Sequence, residues 1–113
     1  MKFVDTKITF SELEKMSSRM FGGLVKAVVD VKKELMVVDA AMHADEEKYL
    51  LDEGSSQDDL WGINIYPDAT AEDFIEFDSI INIRPRLGNF SRDISDKSVK
   101  ARIITIVNKL IEK

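Results

Sequence analysis

The chain has 113 residues, the size of one domain with a core of its own, and its 44% hydrophobic and 33% charged residues exclude a disordered chain. The absence of cysteine excludes disulfides and thiolate metal clusters, and a net charge of -5 works against nucleic acid as a partner, because phosphate backbones are held by clustered Lys and Arg. Met1-Lys2-Phe3-Val4-Asp5-Thr6-Lys7 lacks the apolar core of a secretion signal, and no later apolar run approaches the roughly 20 residues of a membrane span, so a cytoplasmic location without a membrane partner is expected.

Ser11 followed by Glu14 fits a capping box, which predicts a first helix. Phe10, Leu13, Met16, Met20 and Phe21 form its apolar stripe, and Gly22-Gly23 supply its stop. The Val-rich runs Leu24 to Val31 and Glu34 to Ala40 predict a hairpin turning at Lys32-Lys33. Asp45-Glu46-Glu47 places acid where the positive end of a helix dipole favours it, and Gly54 ends that short second helix.

After the polar loop Ser55 to Asp59, Leu60 to Tyr66 alternates with a period of two and stops at Pro67, which predicts a third strand. Thr70 to Asp73 fits one helical turn. Phe74 to Arg84 then reads as a long fourth strand closed by Pro85, with Ile75, Phe77, Ser79, Ile81 and Ile83 toward the core and Glu76, Asp78, Ile80, Asn82 and Arg84 on the opposite, mostly polar side. Val99, Ile103, Ile106, Val107, Leu110 and Ile111 give the last helix, Asp96 to Lys113, one apolar face. The expected fold class is α+β, one domain over residues 1–113: a four-stranded, mainly antiparallel sheet with helices packed on one face, in the order helix-strand-strand-helix-strand-strand-helix.

Three groups of residues invite chemistry. If the third and fourth strands pair, Asn64 and Tyr66 join Glu76, Asp78, Asn82 and Arg84 on an outward sheet face, where carboxylates, amides and a guanidinium can hold a polar ligand; a solvated face with cross-strand ion pairs is the bland alternative. His43 is the one histidine. Asp39 would orient it as a general base, and Glu46 on the same helical side would help it hold a hard cation such as Mg²⁺, although first-turn acids are also explained by the helix dipole alone. Arg84, Arg86 and Arg92 surround a Gly88-Asn89 turn and suit an anion, though no glycine-rich phosphate loop accompanies them. Trp61 alternates with Ile63 and Ile65 and is assigned to the core.

The strings Met36-Val37-Val38-Asp39-Ala40, Met42-His43-Ala44-Asp45-Glu46, Leu60-Trp61-Gly62-Ile63-Asn64, Phe77-Asp78-Ser79 and Ile81-Asn82-Ile83-Arg84-Pro85 together resemble a family of short uncharacterised prokaryotic proteins, a domain of unknown function. The resemblance covers nearly the whole chain and implies a prokaryotic stand-alone domain; it brings no activity, cofactor or partner.

Two function classes follow from the residues. One is a binding or interaction module that uses Asn64, Glu76, Asp78, Asn82, Arg84 and Arg92 to meet a small polar ligand or a protein partner. The other is a small Mg-dependent enzyme acting on a phosphorylated or carboxylated substrate, with His43 as base, Asp39 orienting it, and Arg84 or Arg92 stabilising negative charge. Homodimerisation through strand or helix surfaces is compatible with either.

Overall fold

A computed structural model describes residues 1–20 and 22–112. Phe21, expected on the stripe of the first helix, and Lys113, expected at the end of the last, lie outside the described residues. Along the chain run β1 (Lys2–Val4), β2 (Ile8–Thr9), α1 (Phe10–Ser18), β3 (Val25–Asp30), β4 (Leu35–Val38), α2 (His43–Asp52), β5 (Leu60–Ile65), β6 (Ile75–Glu76), α3 (Lys97–Leu110) and β7 (Ile111–Glu112). The fold is α+β, and its sheet is antiparallel with five strands in the order β1-β4-β3-β5-β6, while β2 and β7 pair in parallel beside it.

The capping box of α1 is built from Thr9 and Glu12 rather than Ser11 and Glu14: the Glu12 N–H donates to Thr9 Oγ1 at 3.1 Å and the Thr9 N–H donates to Glu12 Oε1 at 3.4 Å. Both pairs match the sequence pattern. Pairing of Ile8 with Ile111 fixes the chain immediately before Thr9 in an extended state, so the helix starts there and buries Leu13 and Met16. The hairpin forms as expected. Asp30 Oδ1 accepts from the Lys32 and Lys33 N–H groups, both at 2.9 Å, which closes the turn that pairs Asp30 with Leu35. In α3 the Asp96 carboxylate caps the first turn, and Ile103, Ile106, Val107 and Leu110 are buried at helical spacing.

Alternation along β3 and β5 divides the interior. Val25, Ala27 and Val29, with Trp61, Ile63 and Ile65, face α1 and α3 in the main core. Val28 and Leu60 face the other way and pack with Val37 and Leu50 beneath α2. Helices therefore cover both faces, not one: β3 and β5 carry apolar side chains on both sides, and a sheet apolar on both sides needs a cover on both. The N-terminal strand, which the sequence reading passed over, pairs with β4 through Lys2–Val38, Phe3–Val37 and Val4–Met36.

The expected long fourth strand is also corrected. Pairing with β5 ends at Glu76, and the chain turns through a 3₁₀ turn at Ile80–Asn82, where Ser79 Oγ accepts from the Ile81 N–H. In place of a ladder, the Asn82 side chain grips the open edge of β5: the Gly62 N–H donates to Asn82 Oδ1 at 2.8 Å and Asn82 Nδ2 donates to the Gly62 carbonyl at 2.9 Å. One amide satisfies both outward peptide groups of Gly62, as a backbone partner would. The expected sides are thereby reversed at three positions, with Asn82 and Arg84 buried and Ile83 exposed.

Candidate functional site

Register places a polar row across one end of the sheet. Lys26 of β3 lies opposite Asn64 of β5, and Asn64 lies opposite Glu76 of β6. On the other side of Lys26, its carbonyl accepts from the Asp39 N–H at 3.2 Å. Parity puts Lys26, Asn64 and Glu76 on the same sheet face as Val28 and Leu60, the face that α2 covers. The helix begins at His43, so the row lies beside its first turn.

Asn64 is the centre of this end. Its Nδ2 donates to Glu76 Oε1 at 2.8 Å and to the Asp78 carbonyl at 3.2 Å, both acceptors, which fixes the amide orientation. Its Oδ1 is buried and finds no partner among the described residues. The Tyr66 hydroxyl donates to the same Glu76 oxygen at 3.1 Å, and burial followed by that hydrogen bond raises the Tyr66 pKa. Asp78 pairs with Arg92 at the rim.

His43 Nε2 donates to the Ile63 carbonyl at 2.7 Å. A carbonyl only accepts, so the neutral ring carries its proton on Nε2 and keeps the Nδ1 lone pair. Burial lowers the His43 pKa, the Ile63 bond opposes this, and the charges of Lys26, Arg92 and Asp78 all reach the ring. Glu46, one turn on, is fully buried: Oε2 accepts from the Ala40 N–H at 3.1 Å and Oε1 has no partner among the described residues. Burial pushes its carboxyl up to about 9, against the Ala40 bond and the Lys26 charge, so at neutral pH it is a carboxylic acid.

The structure thus gathers His43, Asn64, Glu76, Asp78 and Arg92 at one end, and separates the other expected residues. Asp39 does not orient His43. Its carboxylate pairs with Arg19 at 3.0 Å, and its backbone takes a positive φ of 71° that turns the chain from β4 toward α2. Asn82 is wholly engaged with Gly62 and the Arg92 carbonyl. Arg84 lies further along α2, with Nη2 donating to Glu47 Oε2 at 3.1 Å and its guanidinium 5.1 Å from the centre of the Trp61 ring. Among the described residues no group of three or more His, Asp and Glu side chains is placed to hold a metal ion.

Matching against known families covers residues 2–110. The chain belongs to the DUF5674 family, proteins of unknown function. Among curated proteins and among solved structures nothing matches it. For this DUF5674 chain the polar row, its burial and its unpaired groups are therefore the guide to function. No helix among the described residues is long and apolar enough to cross a membrane.

One member of the row, Lys26, is not singled out by the sequence pattern, and the burial of Glu46 beside it is not either. Lys26 interrupts Val25-Lys26-Ala27-Val28-Val29, and the same period-two parity that assigns Ala27 to the core assigns Lys26 to the Asn64 side. Glu46 was legible as a neighbour of His43 but not as a buried acid, because a first-turn carboxylate is ordinarily a solvated one.

Proposed function

We propose that this chain is a binding module whose ligand is a small polar molecule carrying hydrogen-bond donors, received at the sheet end formed by Lys26, His43, Asn64, Glu76, Asp78 and Arg92. The observation that carries the reading is the unpartnered Asn64 Oδ1, buried beside its own fully used Nδ2. A buried acceptor without a donor costs about 1–3 kcal/mol, so a site that keeps one gains from a molecule that supplies the donor. The neighbourhood suits such a molecule: His43 Nδ1 is a second acceptor, and Lys26 forms no ion pair or side-chain hydrogen bond among the described residues. With one free cation and several acceptors, an amino acid or hydroxy acid fits better than a simple anion.

The test is a titration of ¹⁵N-labelled protein with amino acids, hydroxy acids, amines and polyols. A ligand is expected to move the Asn64 side-chain amide and His43 ring resonances together, and Asn64→Ala to weaken it roughly tenfold, the worth of one or two such bonds. If every compound that binds leaves those resonances in place, the reading fails.

A further inference from the structure

Away from the polar row, on the flank where α2 meets the segment after β6, lies a concavity of about 310 Å³, bordered by Glu47, Ile80, Ile81, Ile83, Arg84 and Arg86. Its floor holds a guanidinium that is only partly used. The Arg84 side chain is 7% exposed; Nη2 donates to Glu47 Oε2, the face stacks over Trp61, and Nη1 is buried with no partner among the described residues. A guanidinium withdrawn from water needs its donors satisfied, and a single carboxylate bonded through a single nitrogen leaves that need open.

The position is rigid. Arg84 and Asn89 exchange both backbone bonds, at 2.8 and 3.1 Å, around a turn whose Gly88 takes a φ of 76°. Asn89 in turn donates to the carbonyls of Asn82, Ser91 and Asp93 and accepts from Ser95. Arg84 is thus held in place before any partner arrives. At the mouth, Arg86 is spanned by Asp58 in a two-bond pair that is open to solvent and so readily exchanged.

We propose that this concavity binds a monocarboxylate borne on a short aliphatic body, with the carboxylate on Arg84 and the aliphatic part against Ile80, Ile81 and Ile83. The chemistry of the walls selects the class. Ile80 and Ile83 are 67% and 41% exposed, so covering them gains free energy that a bare inorganic anion cannot supply. Two arginines balanced by Glu47 and Asp58 leave no net positive charge, which suits one negative charge and disfavours a phosphate dianion. The carboxylate belongs either to a free acid or to the C-terminus of a peptide ending in an aliphatic residue.

Trp61 is the single tryptophan and touches Arg84, so its fluorescence reports on the site. Isovalerate and Gly-Gly-Leu are titrated against their carboxamides, isovaleramide and Gly-Gly-Leu-amide. One or both acids are expected to shift the Trp61 emission while neither amide does, and whichever acid binds identifies the source. Arg84→Lys is expected to weaken binding at least about tenfold, the loss of a charge-assisted fork. Since Arg84 is buried, Glu47→Gln gives an independent arm: freeing Nη2 from its internal carboxylate is expected to tighten acid binding about tenfold. Equal binding of acid and amide, no response to either acid at millimolar concentration, or a Glu47→Gln variant with unaltered affinity overturns the proposal.

Discussion

Val25, Ala27 and Val29 look to one side of the sheet, Lys26, Val28 and Asp30 to the other, and the two sides meet very different surroundings. Among the described residues, eighteen buried ones form one continuous apolar cluster toward α1 and α3, and only Val28, Val37, Leu50 and Leu60 do so toward α2. The space that apolar side chains leave on the α2 side is taken by His43, Glu46, Asn64, Asn82 and Arg84, all buried, and the three buried side-chain atoms without a partner among the described residues lie among them. One face holds the fold together and the other carries groups whose burial costs stability. Such a division is expected where binding chemistry is built on a scaffold stabilised elsewhere.

The comparison is broken most directly by cutting each face. Ile103→Ala in the larger cluster is expected to cost about 4 kcal/mol, near the upper end for such truncations, because a close-packed core on every side cannot collapse into the cavity. Leu50→Ala, equally buried but in the four-residue cluster, is expected to cost about 2–3 kcal/mol. Urea unfolding measures both. Equal losses would mean that the α2 side is packed as tightly as the other.

A smaller effect is expected at the seam between the strands and the irregular segment after β6. Asn82→Ala removes the amide that serves both Gly62 peptide groups, and about 2–3 kcal/mol should go with it, since two buried backbone groups lose their partners together. Gly62→Ala probes the same seam from the opposite side, for an added Cβ would stand 2.6 Å from Ser79 Cβ and Oγ; overpacking of that kind costs about 1–3 kcal/mol. If either variant unfolds at the wild-type midpoint, the Asn82 clamp is not what holds that edge.

That seam also marks where the sequence stopped being readable. Periodicity carried the hairpin, the strand from Leu60 and the face of α3, because in each the side-chain pattern and the backbone period agree, while first-turn acids and Gly54 carried the short helix that ends at Asp52. It failed from Phe77 onward. Ile81, Asn82, Ile83 and Arg84 alternate like a strand, yet Asn82 replaces backbone pairing with its side chain, and burial then follows hydrogen bonding rather than hydropathy. The polar row was half legible for a related reason: parity grouped Asn64, Tyr66 and Glu76 correctly, whereas whether Asp39 meets His43 or Arg19 depends on a chain reversal that no local pattern encodes. β1 and the β2–β7 pair, two or three residues long, are too short for any period to register.

The finest contrast between the faces is electrical, and pH sharpens it. Glu46 has a folded value of about 9 against 4.5 for an ordinary glutamate, so between those values the folded protein holds a proton that the unfolded chain releases. Stability therefore falls as pH rises through that window, by up to about 1.4 kcal/mol per unit from this one group. His43 acts in the opposite sense: its folded pKa lies below 6.5, so as pH drops under that value the unfolded chain takes up the proton first and stability is lost toward acid. Glu46→Gln, which keeps the shape and the acceptor for Ala40, should gain on the wild type steadily between pH 6 and 9 in thermal melts, and His43→Gln should gain on it below pH 6. Because the apolar face contributes no titrating group to either difference, a pH-independent gap for Glu46→Gln would show that its carboxyl is ionised in the folded protein, with Lys26 as the natural counter-ion, and the neutral acid beside the polar row would have to be abandoned.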